Sequence, residues 1–159
     1  MNYIKEYVEQ IDKGSIVVGN KVKKIYKRLL KESDDKSLPF YFDEEKGNRP
    51  IEFIETFCKQ AEGEIGKPIK LELFQKAYIQ ALFGFVYRDT GLRRFNETMF
   101  LVGRKNGKTT MLSAIALYMM IADGEGSAEC YSVATKKDQA SKAFKSACAM
   151  RAQSPEIRA

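Results

Sequence analysis

The amino-acid sequence lacks histidine and tryptophan altogether, and its 159 residues include only three cysteines and four prolines. The absence of histidine excludes a Ser-His-Asp or Cys-His catalytic unit, a zinc site built on two histidines, and imidazole as a general base. Any catalysis must therefore use carboxylates, lysine, arginine, hydroxyl groups, thiols or a bound metal ion. No run of about 18 apolar residues occurs, so the sequence predicts no membrane-spanning segment and no membrane partner.

The three cysteines, Cys58, Cys130 and Cys148, lie far apart and form no C-x-x-C pair. Their odd number and wide spacing support neither a disulfide framework nor a thiolate zinc site. We expect all three to be small buried residues in a reducing compartment. The first residues also lack the basic start and apolar stretch of a signal peptide, which favours a cytoplasmic location.

Positive charge is in modest excess, with 27 Lys and Arg against 21 Asp and Glu and a net charge of +6. The sign favours a polyanionic partner, although many soluble proteins are equally basic. Six basic residues between Lys21 and Lys31 fall on one predicted helix without an acidic residue among them. This helix face fits contact with nucleic acid, contact with a neighbouring subunit, or simple solvation, and the sequence does not choose among them.

The pattern of apolar residues changes near residue 70. Residues 1–70 predict short amphipathic helices: one that stops at Gly14, a second capped by Ser15, and a third capped by Asp43 and started again at Pro50. Residues 71–87 predict a further helix. We therefore divide the chain into an N-terminal helical region, residues 1–70, and a second region, residues 71–159.

The second region alternates predicted strands and helices. Residues 98–102 form a short apolar run typical of a buried parallel strand, and residues 103–110 follow as a loop ending in Gly-Lys-Thr-Thr. A long helical pattern comes next, then a second predicted strand at residues 128–134 and a helix at residues 135–150. Strand, glycine-containing loop and helix is the context of a P-loop. The predicted fold class is α/β, with an incomplete three-layer P-loop NTPase core behind a helical N-terminal region.

Each part of this loop has a physical reason to bind phosphate. Gly107 allows a tight turn, and free N–H groups and the dipole at the helix start attract anions. The Lys108 ammonium would reach the β- and γ-phosphates, and the Thr109 hydroxyl would coordinate Mg²⁺. The usual consensus requires a glycine where this chain has Val102, with Gly103 one residue later. The alternative is a chance Gly-Lys-Thr-Thr at a helix start.

Three segments together, residues 71–75, 103–109 and 134–140, resemble the ATPase portion of the large terminase subunit of tailed bacteriophages, in its HK97-like branch. That family has an offset Walker A loop with an arginine ahead of Gly-Lys-[Ser/Thr], as here. The resemblance implies ATP and Mg²⁺ as cofactors, adenine recognition by Gln75, and catalytic roles for Arg104 and Lys108. The residues implied to bind nucleotide are Gln75, Gly103, Arg104, Lys105, Asn106, Gly107, Lys108, Thr109 and Thr110.

The same resemblance implies the function and the partners. In its complete form such a protein couples ATP hydrolysis to translocation of viral DNA into a procapsid, and cleaves DNA with a separate nuclease domain. The implied partners are double-stranded viral DNA, a small terminase subunit, the portal protein and further copies of the chain, in the host cytoplasm. Two alternatives stay open: another P-loop NTPase of kinase or helicase type, and a basic nucleic-acid-binding or adaptor module with an incidental Gly-Lys-Thr-Thr.

A Walker B strand is not found in the sequence. Residues 117–123 end in Asp123, but they continue the helix from Lys108, which places Asp123 roughly 20 Å from the phosphates at about 1.5 Å per residue. We therefore expect the N-terminal part of a terminase that binds nucleotide weakly and hydrolyses it poorly by itself. The resemblance also implies further nucleotide contacts by Thr135, Lys136 and Gln139, with helix capping as the simpler role of Thr135.

Overall fold

The computed structural model describes residues 1–157 and is rich in helix, with one small two-stranded sheet. Its elements in chain order are α1 (Tyr3–Asp12), α2 (Asn20–Asp34), β1 (Phe40–Phe42), α3 (Glu44–Phe57), α4 (Leu73–Gly84), β2 (Phe85–Tyr87), α5 (Lys108–Ile121), α6 (Lys137–Gln153) and a short 3-10 helix (Pro155–Ile157). The chain forms two compact units. The first contains Met1–Ile51 and Glu72–Met99, and the second contains Glu52–Leu71 and the chain from Phe100 onward.

Helix α1 forms where the apolar spacing predicted it. The Asn2 side chain caps the helix by accepting a hydrogen bond from the Lys5 N–H at 2.9 Å. The buried residues follow one helical face: Ile4, Tyr7, Val8 and Ile11. The helix ends before Gly14, which has a φ of 76° in the left-handed region that glycine accommodates.

Helix α2 begins later than predicted. The predicted cap, Ser15, does not start a helix, because the N–H groups of Ser15 and Ile16 both donate to the Gln10 carbonyl at 3.0 and 3.2 Å and so close α1. The chain then runs on to Gly19, which occupies the N-cap position of α2 without a side-chain hydrogen bond. The residues after Ser15 therefore end one helix and do not begin the next.

The sheet lies in the first unit and is antiparallel, with Phe42 opposite Phe85 and Phe40 opposite Tyr87. The prediction of one helix over residues 71–87 is wrong at its end, since α4 stops at Gly84 and the chain continues as β2. A Cβ on Gly84 would lie 2.6 Å from the Phe42 ring and 3.1 Å from a backbone oxygen. Glycine at this position thus allows β1 to pass close to the end of α4.

A buried amide ties α1, α3 and α4 together in the first unit. The Gln80 side chain is fully buried and accepts from the Ile4 N–H at 3.1 Å. Its Nε2 donates to the Met1 carbonyl at 2.8 Å and to Asn48 Oδ1 at 2.6 Å. A Cβ on Gly47 would lie 2.8 Å from Gln80 Cγ, so glycine permits the close approach of α3 and α4.

In α3, the predicted Asp43 cap is confirmed, but the predicted new start at Pro50 is wrong. The Asp43 carboxylate accepts from the Lys46 N–H at 3.0 Å, as expected of a helix cap. Pro50 lies inside the continuous helix and does not start a new one. The helix is already established by the Asp43 cap before it reaches the proline.

The second unit is built on α5 and α6. The buried Ser113 hydroxyl of α5 donates to the Ala143 carbonyl of α6 at 2.9 Å. The Tyr118 ring packs edge-on against Phe53, with ring centroids 5.6 Å apart. The buried Ser154 hydroxyl also donates to the Phe57 carbonyl. These contacts give the unit a core on one side of α5.

The two strands predicted for the second region are not formed. Residues 98–102 and 128–134 are assigned to no strand, and Leu101 and Val133 are each 89% exposed. An apolar run becomes a parallel strand only when a neighbouring strand supplies a hydrogen-bond ladder and other elements cover its faces. Within residues 1–157, the only strand ladder joins β1 to β2.

The cysteines are not all buried, contrary to the prediction. Cys58 is buried, and burial raises the pKa of its thiol to about 11. Cys130 and Cys148 are exposed, the first in the unpaired segment that follows α5 and the second on an open side of α6.

Across residues 1–157, none of the helices is both long and apolar enough to cross a membrane.

Candidate functional site

The predicted phosphate loop lies in the second unit and leads directly into α5, which begins at Lys108. Two of its residues have left-handed backbones: Lys105 with a φ of 66° and Gly107 with a φ of 65°. Glycine accommodates this conformation freely, whereas a residue with a Cβ adopts it at a cost of about 1–2 kcal/mol. Left-handed residues next to right-handed ones turn successive N–H groups toward one side and form concave anion sites.

The side chain of Asn106 closes this loop on itself. Its Nδ2 donates to the Gly103 carbonyl at 3.3 Å and to the Arg104 carbonyl at 3.2 Å. A Cβ on Gly103 would lie 3.4 Å from the same nitrogen. Asparagine side chains often bond to nearby backbone groups, but the loop motif does not single out Asn106 for that role.

The start of α5 leaves N–H groups open. Gly107 occupies the N-cap position without a side-chain hydrogen bond, and the first bond of the helix joins the Met111 N–H to the Gly107 carbonyl at 2.9 Å. The N–H groups of Lys108, Thr109 and Thr110 therefore precede the helical ladder and have no acceptor among residues 1–157. The positive end of the helix dipole lies at the same place.

Three cationic residues belong to the loop and to the first position of α5. Arg104, Lys105 and Lys108 are all exposed, and none forms an ion pair within the part of the chain that the structure describes. Residues 103–110 contain no acidic side chain. The loop thus combines uncompensated positive charge with directed N–H donors, which is the chemistry that binds phosphate groups.

The other predicted residues of the second unit have separate positions. The α5 helix continues to Ile121, so Asp123 lies beyond its far end, as expected when it was rejected as a Walker B acid. The N-cap of α6 is Lys136 and it makes no side-chain cap bond, so capping by Thr135 is wrong. Thr135, Lys136 and Gln139 are exposed near the start of α6.

Gln75 lies in the first unit, in the first turn of α4. Its Oε1 accepts from the Glu72 N–H at 2.9 Å, while the Glu72 side chain accepts from the Gln75 N–H. This reciprocal pair is a capping box, and it buries Gln75 to 6% exposure.

Comparison with known proteins gives this loop its context. Residues 73–157 match the family described as "Terminase large subunit, ATPase domain". The chain belongs to this family. It is also 32% identical over 114 residues to the terminase large subunit of Enterobacteria phage HK97, a match covering 70% of this chain and 21% of that protein. No solved structure matches the chain significantly.

The terminase ATPase match begins at Leu73 and so takes in α4, the loop, α5 and α6. The predicted resemblance to large terminase subunits is confirmed. The chain spans about a fifth of the length of the phage HK97 relative, at 21%. Helices α1 to α3 precede the range that the terminase family match covers.

Proposed function

We propose that this chain is the nucleotide-binding portion of a viral DNA-packaging ATPase, whose complete form drives DNA into a procapsid and cuts it with a nuclease domain. The observation that carries the proposal is the open start of α5, where the N–H groups of Lys108, Thr109 and Thr110 have no acceptor among the described residues. It lies within the range matched by the terminase ATPase family. A chance Gly-Lys-Thr-Thr would require neither the family match nor the two left-handed loop residues.

The residues of the loop fit a nucleotide triphosphate with Mg²⁺. The backbone N–H groups of Lys108, Thr109 and Thr110 would donate to phosphate oxygens, and the Lys108 ammonium would lie against the β- and γ-phosphates. The Thr109 hydroxyl supplies the hard oxygen ligand that Mg²⁺ prefers. Arg104 would stabilise charge that develops on the γ-phosphate during its transfer. Mg²⁺, when bound, neutralises the charge shared by the β- and γ-oxygens.

The chain by itself is proposed to bind nucleotide weakly and to hydrolyse it slowly. Residues 103–110 supply cations and N–H donors but no carboxylate to hold the metal or to orient water. Efficient phosphoryl transfer requires such an acid. We further propose that residues 1–70 form a helical region, and that residues 71–159 contribute to a three-layer P-loop core whose strands pair in the complete protein.

Gln75 is proposed to recognise adenine, on the resemblance and on the chemistry of its amide. The amide can both donate and accept, which suits the edge of adenine. The preference for adenine is measured in a binding assay in which GTP competes with ATP.

The partners are proposed from family membership: double-stranded viral DNA, a small terminase subunit, the portal protein and other copies of the chain, in the host cytoplasm. Exposed apolar side chains in the second unit, such as Leu101 and Val133, support self-association of the isolated chain.

The test is binding of a fluorescent ATP analogue in the presence of Mg²⁺. Lys108→Ala is expected to weaken binding at least about tenfold, because a charge-assisted contact is worth about 1.5–3 kcal/mol and 1.4 kcal/mol is tenfold. Lys137→Ala is the matched control, since it removes an exposed lysine from the first position of α6. Binding that does not require Mg²⁺, or that Lys108→Ala leaves intact, would overturn the proposal.

A further inference from the structure

The positive charge of the chain is concentrated in one stretch. Residues 13–31 contain seven Lys and Arg and no Asp or Glu, whereas the whole chain has a net charge of +6. The rest of the chain therefore has a net charge of −1 by the same count. A field that is this localised attracts a polyanion to one surface and not to the molecule as a whole.

Four of these cations line one side of α2. This basic stripe consists of Lys21, Lys24, Arg28 and Lys31, which follow the spacing of three and four residues that aligns side chains along a helix. All four are exposed. The opposite side of α2 is occupied, because Leu29 is buried and Tyr26 and Leu30 pack against the apolar core of the first unit.

The two lysines beside the stripe share one carboxylate. Lys23 and Lys27 pair with Asp12 of α1 at 3.1 and 2.9 Å. Both contacts lower the pKa of the Asp12 carboxyl, with the Lys27 hydrogen bond as the largest cause. No acidic residue lies between Gly14 and Lys31, and the nearest preceding acid, Asp12, is paired with Lys23 and Lys27.

The stripe itself is left with little compensation. Lys21, Lys24 and Lys31 form no ion pair within residues 1–157. Arg28 lies 3.5 Å from Glu32, but that carboxylate also binds Arg94 at 2.6 Å. At the start of α2, Gly19 offers no side-chain cap, so the helix dipole adds positive potential at the Lys21 end.

We propose that the basic stripe binds the phosphate backbone of duplex DNA. The stripe is about 15 Å long at 1.5 Å per residue, close to the rise of four base pairs at about 3.4 Å each. Phosphate contacts by lysine and arginine need no sequence readout, which suits a protein that acts along DNA of any sequence. The choice of duplex DNA as the ligand rests on the proposed function, whereas the inference that the stripe binds phosphate rests on its charge and geometry.

Two other polyanions fit less well. A helix that lies on a membrane needs a wide apolar face to insert, and that face of α2 is used by Tyr26, Leu29 and Leu30 in the core. An acidic protein partner would be expected to meet aromatic anchor residues. The exposed apolar residues of α2 are only Val22 and Ile25, at 37% and 48% exposure.

The test measures binding of a 20-base-pair duplex by the full chain as a function of salt. Replacing Lys21, Lys24 and Lys31 together by Gln is expected to weaken binding about tenfold or more at low salt. It should also flatten the slope of log K against log salt by about 2.7, because each lost phosphate contact removes about 0.9. The same three positions changed to Arg should keep both values.

The control removes three charges elsewhere: Lys137, Lys142 and Lys145 of α6, all exposed, replaced by Gln. If the slope of log K against log salt is the same for the stripe variant and for this control, the proposal is overturned.

The proposal is also overturned if the stripe variant loses binding to polyglutamate or to anionic vesicles but keeps binding to DNA. Nucleotide binding that depends on Lys108 is measured alongside, so failure of the stripe is distinguished from failure of the proposed ATPase. If the triple variant does not fold, Lys24→Gln alone should still lower the slope by about 0.9.

Discussion

In the first unit, the buried amide of Gln80 uses its oxygen and its nitrogen, whereas in the second unit the N–H groups that open α5 have no acceptor among the described residues. Buried polar groups left unpaired are costly, so the first unit depends on its hydrogen bonds for stability. Lys108 and Thr109 are exposed residues, and a backbone N–H group that is not buried can stay without a protein acceptor at little cost.

Both units contain packed and exposed apolar residues. The aromatic side chains of the small sheet pack against each other, with the Phe42 and Phe85 rings 5.2 Å apart. The second unit leaves Leu101, Tyr131 and Val133 more than 80% exposed, at 89%, 81% and 89%. Exposed apolar groups of this kind mark surfaces that other protein segments cover. The first unit exposes Val17 and Met99 to a similar extent, at 92% and 87%, so the second unit is distinguished by having its exposed apolar residues together with the phosphate loop.

The largest expected effect is loss of the Gln80 amide. Gln80→Leu would leave the buried Ile4 N–H without its acceptor and Asn48 without its donor, so we expect the free energy of unfolding to fall by about 3 kcal/mol. Ser113→Ala, which removes one hydrogen bond to Ala143 in the second unit, should cost about 1 kcal/mol.

Hydrogen exchange is measured for the amides of α1 and α4 and for those of α5 and α6. The comparison shows in which unit each variant loses stability. If both variants lowered protection equally in the two units, the contrast between a hydrogen-bonded first unit and an open second unit would not hold.

The next effect concerns ligand binding and not stability. Asn106→Ala removes both hydrogen bonds that close the phosphate loop, and with them the support for the left-handed Lys105. We expect nucleotide affinity to fall about threefold to tenfold, the equivalent of one ordinary hydrogen bond, with little change in unfolding. Asn96→Ala, at an exposed asparagine of the first unit, is the control.

The stability of the Asn106→Ala variant distinguishes a ligand site from a loop that stabilises the second unit. If the variant unfolded as readily as Gln80→Leu, the loop would be part of the stability of the second unit and not a preformed ligand site. The measurement is the fluorescent ATP titration together with urea unfolding of the same sample.

What the sequence could predict follows the range of the interactions involved. Helices α1 and α5 were predicted because their apolar spacing repeats within a few residues, and the loop at residues 103–110 because its motif is local. The strands predicted at residues 98–102 and 128–134 are not formed within residues 1–157. A strand depends on a partner distant in the chain, which apolar composition alone does not reveal.

The same reasoning explains what was missed at the site. The left-handed conformation of Lys105 and the two bonds of Asn106 depend on the exact backbone of the loop, and a motif does not encode them. The capping role of Gln75 was within reach, because Glu72 and Gln75 are three residues apart at a helix start. The buried bonds of Gln80 were not, because Met1 and Asn48 are distant in sequence.

The smallest expected effect is at Asp12, whose ion pairs with Lys23 and Lys27 are exposed. These contacts lower its pKa below the ordinary 3.8, so their stabilising contribution is complete above that value and is lost as the pH falls through the folded-state pKa. Wild type and Asp12→Asn should differ slightly in thermal stability at neutral pH and converge under acid conditions. The same substitution frees Lys23 and Lys27, so DNA affinity at pH 7 should rise while the first unit stays folded. An unchanged or lower DNA affinity would contradict the proposal that the positive charge of α2 binds DNA.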